Sequence, residues 1–147
     1  MMRLARKFFR RSASDRRLLV GAFGVHTCVV LLLRVVRFRA LSRWLTSANV
    51  DRAAGSNEFD GAVVERTVWA VRHAAAIAPW GRTCLTEALT AAVLLRRAGC
   101  EATLRYGVTS TGAGGLDAHA WLEHQGAVIL GQSARPYAVL HQAGRTA

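Results

Sequence analysis

Cys84 opens a segment of helical apolar spacing, and His119 follows 35 residues later in the strand-like run Asp117-Ala118-His119-Ala120-Trp121-Leu122-Glu123. A thiol and an imidazole that meet in a fold supply a nucleophile and its general base, the minimum for thiol-dependent hydrolysis. As the first residue of a helix, Cys84 lies among backbone N–H groups without helical acceptors and at the positive end of the macrodipole. Both effects favour thiolate, and Arg82 adds positive potential. The same N–H groups can donate to a carbonyl oxygen that is becoming an oxyanion. The bland alternative is a small buried hydrophobe, which most free cysteines are. That reading suits Cys28, inside an apolar stretch, and Cys100, just after a helix end. Most lone strand histidines are polar core or rim residues, so the case for His119 rests on its pairing with Cys84. No CxxC pair occurs, and His73, His124 and His141 do not cluster with the cysteines as zinc ligands would; neither metal nor cofactor is expected.

A catalytic histidine needs a third group to fix its tautomer. Glu123 shares the face of His119 and Trp121, but four strand residues put it roughly 13 Å away along the chain. Asp117 is two residues away, roughly 7 Å, at a loop edge. If Gln125-Gly126 is a two-residue turn, His124 pairs with Ala127 and position 119 faces Gln132. Side chains directly opposite are within about 5 Å at Cβ, so the Gln132 carbonyl oxygen can hold the ring. Gln132 is therefore the expected third member.

The elements that must position these groups follow from periodicity. A helix is expected from near Ser14 to about Val36, and a shorter one over Arg37–Leu45. Residues 47–61 are polar and turn-rich, which divides the chain into a basic helical module (1–50), a linker (51–61) and a core (62–147). From Ala62, the spacing of Val64, Val68, Val71 and Ala75 predicts a helix that stops at Pro79. Thr83 is a good N-cap for the next, with Leu85, Ala88, Leu89, Ala92 and Leu95 on one face and Gly99 closing it. Ala102, Leu104 and Tyr106 alternate as in a half-buried strand. A glycine-rich loop over Thr109–Gly115 follows, then a hairpin of Ala118–His124 and Ala127–Gly131. This order predicts an α+β fold, with helices packed on a small antiparallel sheet.

The 147 residues carry a formal charge of +11, nearly all of it at one end. Residues 1–43 hold eleven Arg and Lys against Asp15 alone. The basic end should therefore serve a partner or surface rather than the chemistry. Arginine without an aromatic stacking platform argues against nucleic acid. Leu18–Leu33 is apolar but short for a bilayer span, contains His26 and ends at Arg34, so a buried or partner-packed helix is expected, with peripheral membrane contact as the alternative. Arg16-Arg17 precedes it, yet no small-x-small cleavage site follows. Three cysteines at no paired spacing point to free thiols in a reducing cytoplasm.

The motifs Ala78-Pro79-Trp80, Thr83-Cys84-Leu85, Leu94-Leu95-Arg96-Arg97-Ala98-Gly99, Tyr106-Gly107-Val108 and Ala118-His119-Ala120-Trp121-Leu122-Glu123 with Gly126 occur in order across roughly residues 62–140. In these motifs and their spacing the chain resembles the leader peptidases of lasso-peptide biosynthesis, bacterial transglutaminase-like cysteine proteases. The resemblance implies a papain-like core, with Cys84 as nucleophile and His119 as base. It also implies an acidic residue near position 132, where this chain offers Gln132, so an amide, Asp117 or a plain dyad stays open. Such peptidases act on a precursor peptide with a leader-recognition domain, fused or separate. About 60 residues before the core leave no room for a fused one, so the split form is expected, with a separate recognition protein and an ATP-dependent macrolactam-forming cyclase as partners. A transglutaminase-fold acyltransferase and a non-catalytic basic binding module are the competing classes.

Overall fold

The computed structural model describes residues 12–35, 58–78, 81–111 and 115–143. The basic arm before Ser12, the expected helix at Arg37–Leu45, most of the linker and the centre of the glycine-rich loop lie outside them. Three helices and four strands make up the described fold: α1 (Ala13–Val35), α2 (Glu58–Ile77), α3 (Cys84–Arg97), β1 (Thr103–Ser110), β2 (Leu116–His124), β3 (Ala127–Leu130) and β4 (Ala138–Ala143). The strands form one antiparallel sheet in the order β3-β2-β1-β4.

Local chemistry sets the element ends. Ser12 Oγ accepts from the Asp15 N–H at 3.1 Å and caps α1. Thr83 caps α3 through a reciprocal box with Thr86: Thr86 N–H donates to Thr83 Oγ1 at 3.1 Å, and Thr83 N–H to Thr86 Oγ1 at 2.9 Å. Gly99, at φ 82, takes the left-handed conformation that ends α3. Gln125 and Gly126, at φ 50 and 80, form the tight turn between β2 and β3. α2 begins at Glu58, earlier than its apolar period suggests, because the period registers only where the helix reaches the core at Val63 and Val64.

The core lies between α3 and the sheet. Leu89 and Leu95 of α3 meet Leu104 of β1, Leu122 of β2 and Leu130 of β3, all at 2% exposure or less. Each such side chain contributes about 1.5–3 kcal/mol of burial free energy. Val64 and Val71 of α2 and Val29 of α1 belong to the same cluster. Alternation along β2 then fixes two faces. Ala120 and Leu122 point into the helical core, while His119, Trp121 and Glu123 stand on the other side.

Candidate active site

Cys84 is the first residue of α3 and is half-buried, packed against the margin of the core. The Thr83 hydroxyl engages the Thr86 N–H, so the Cys84 and Leu85 N–H groups remain the ones without helical acceptors. Thr86 Oγ1 also donates to the Gly81 carbonyl at 2.6 Å, which ties the preceding turn to the helix start. Arg82 does not stand free beside the thiol: its Nε bonds Glu87 Oε1 at 2.9 Å.

His119 is half-buried on β2, opposite Gly107 of β1. Its ring stacks on Tyr137 (centroids 5.1 Å, 29°) and on Trp121 (6.2 Å, 17°). Nε2 lies 2.7 Å from the Gly131 carbonyl oxygen. A carbonyl only accepts, so Nε2 carries the proton and Nδ1 is left as the basic nitrogen. The imidazole is therefore oriented by backbone.

Each carboxylate or amide weighed for that task is engaged elsewhere. Gln132 Oε1 accepts from Arg72 at 3.1 Å, and its amide donates to the Val128 carbonyl at 3.0 Å. The register explains the difference. Glu123 pairs with Val128, but Leu122 pairs with Leu130, so Ile129 is an extra residue in β3 and the facing positions slip by one. β3 then ends, and Gly131, at φ 79, turns its carbonyl toward the ring. Asp117 accepts from the Tyr137 hydroxyl at 2.9 Å and pairs with Arg135 at 3.7 Å. That hydrogen bond holds the Tyr137 phenol above its ordinary pKa. Glu123 is bound by Arg105 and by Trp121 Nε1. Gly131, Trp121 and Tyr137 thus surround His119, and sequence reasoning missed Gly131 and Tyr137 in that role; no motif marks a carbonyl.

His119, Trp121, Gln132, Arg135 and Tyr137 line an open recess of about 200 Å³. Cys84 is not part of its wall, and no hydrogen bond joins the thiol to the imidazole. α3 packs directly on β2, but on the face that carries Ala120 and Leu122. β3 pairs with Leu122–His124, so among the described residues Asp117–Trp121 has no strand partner on that side. The structure thus brings His119 and Gln132 to one recess, and holds Cys84 on the neighbouring helix end.

The family model described as the transglutaminase-like superfamily matches residues 27–142, which takes in both Cys84 and His119. No curated protein and no solved structure matches significantly.

Proposed function

Because the chain belongs to the transglutaminase-like superfamily, we propose that it is a cysteine peptidase that removes the leader from a lasso-peptide precursor. The observation that carries this reading is the state of the two groups. Cys84 heads a boxed helix N-terminus, and His119 has one nitrogen pinned to Gly131 with the other free to accept a proton. In the reaction, Nδ1 of His119 takes the thiol proton and Sγ attacks the carbonyl carbon joining leader to core peptide. The N–H groups of Cys84 and Leu85 stabilise the oxyanion, and the imidazolium returns its proton to the departing core-peptide amine. Water, deprotonated by the same ring, then hydrolyses the leader thioester and restores the thiol. The thiol and ring are not hydrogen-bonded in this structure, so the proposed reaction requires them to approach when substrate binds. Catalytic hydrogen bonds commonly tighten only then. A separate leader-recognition protein presents the precursor on this reading, and the released amine passes to the ATP-dependent cyclase in the cytoplasm.

The test is leader release from a precursor by the chain with its recognition protein, followed by mass spectrometry. Cys84→Ala and His119→Ala should each lower the rate at least about a hundredfold. Rates equal to wild type for Cys84→Ala would refute the nucleophile. A leader recovered with an added amine instead of water would make the chain an acyltransferase.

A further inference from the structure

We infer that the outer stripe of α1 docks on an anionic lipid surface, lying in the plane of the interface. The inner side of α1 is committed to the protein. Leu19, Ala22, His26, Val29 and Val30 are buried, and Asp15 at its start bonds Arg66 of α2 at 2.7 Å. The helix is long and apolar enough to cross a bilayer by length and composition. Spanning, however, would strip those groups from the core and carry the Asp15–Arg66 pair with them.

The opposite side is what remains available. Val20, Gly21, Gly24, Cys28, Leu31, Leu32 and Val35 are all exposed and recur at helical spacing, a strip about 22 Å long. Val20, Leu31, Leu32 and Val35 are 63%, 56%, 44% and 86% exposed. The strip itself contains no charged residue; exposed Arg17 lies just before it, and exposed Arg34 sits beside its C-terminal end. Nine further Arg and Lys lie among residues 1–43, and no acidic residue occurs between Arg16 and Val50. An apolar strip flanked by arginines complements acyl chains and the anionic headgroups above them. A nucleic acid would satisfy the arginines and leave the strip wet, and a neutral apolar partner would leave the charge unanswered. The inference is independent of the thiol chemistry.

Co-sedimentation of the full chain with vesicles tests it. Vesicles of phosphatidylglycerol and phosphatidylcholine should retain the protein, and pure phosphatidylcholine should retain several-fold less. Added salt should weaken retention. Leu31→Glu and Val20→Glu alter exposed positions, so circular dichroism should show an unchanged fold while binding falls roughly tenfold. Arg34→Glu should reduce binding to the anionic vesicles alone. Equal binding to both vesicle types, no binding, or binding indifferent to Leu31→Glu would overturn the inference. A lipid-free dimer that Leu31→Glu converts to monomer would overturn it too, by assigning the strip to a second copy.

Discussion

Gly131 carries two demands that no side chain can meet together. Its φ of 79 lies in the left-handed region, and a Cβ there would fall 2.7 Å from the Ala120 carbonyl oxygen and 3.0 Å from Trp121 Cα. Both neighbours are backbone atoms of β2 and cannot swing aside. Gly131→Ala should therefore cost about 1–3 kcal/mol and move the carbonyl that holds the His119 ring. On the proposed reaction, leader release should fall, because the ring is no longer locked with Nδ1 as the base. Gln132→Ala, by contrast, removes only an exposed link between Arg72 and Val128 and should leave the rate near wild type. Rates of the two variants decide between carbonyl and amide; a loss confined to Gln132→Ala would restore the side chain to the role. Residue type marks Cys84 and His119 as candidates, and it marks the turn at Gln125-Gly126 in the same way. The bulge at Ile129 is not so marked, and one extra residue in a four-residue strand was enough to change the partner of a histidine.

Among the helices, α3 was the most legible, since a capping threonine, an apolar face and a closing glycine all agree with its observed limits. Its box uses Thr86 where glutamate or glutamine is the more usual partner, and the Thr86 hydroxyl reaches Gly81 as well. Thr83→Ala should cost about 0.5–2 kcal/mol in chemical denaturation. β4 was not anticipated, because its short run after Pro136 becomes a strand only by pairing with β1. The contact between α1 and α3 was hidden for a different reason: His26 interrupts an apolar run and reads as a polar flaw. It is fully buried, with Nδ1 3.3 Å from Thr90 Oγ1 and Nε2 without a hydrogen-bond partner among the described residues. Burial lowers its pKa below 6.5, against a smaller raising effect from Glu87. The unfolded chain therefore takes up this proton at higher pH than the native one. Stability should rise with pH through the window just below 6.5 and fall on acidification through it. His26→Leu should flatten that slope and be neutral or stabilising at pH 7. Thr90 keeps its bond to the Thr86 carbonyl at 2.6 Å, and no buried nitrogen is left unpaired. Thermal melts at pH 5.5 and 7.5 for the two proteins give the comparison.

At the scale of the molecule, the question is whether the helical N-terminus is a separate module or part of the core that carries the thiol. The charge asymmetry suggests separation, and packing argues for union. The superfamily match begins at residue 27, inside α1, and Val29 shares one cluster with Val71, Leu89 and Leu122. The link also reaches the site. Gly81, at φ 72, lies so close to α1 that a Cβ would come within 2.6 Å of Val30 Cγ1, so the turn leading into Cys84 rests on that valine. A chain cut to residues 58–147 would lose the buried side chains of Leu19, Val29 and Val30, each worth about 1.5–3 kcal/mol. That sum is comparable to the whole stability of an ordinary domain, about 5–15 kcal/mol. The shortened chain should therefore lose its cooperative melt, and Cys84 should label no faster than Cys100, because the helix start that distinguishes it has come apart. Val30→Ala in the full chain isolates the second effect: it should cost about 1–3 kcal/mol, while the proposed leader release drops by more than the small unfolded fraction explains. Should residues 58–147 melt cooperatively at the temperature of the intact protein, with Cys84 still labelling ahead of Cys100, the core would stand alone and α1 would serve only its outer surface.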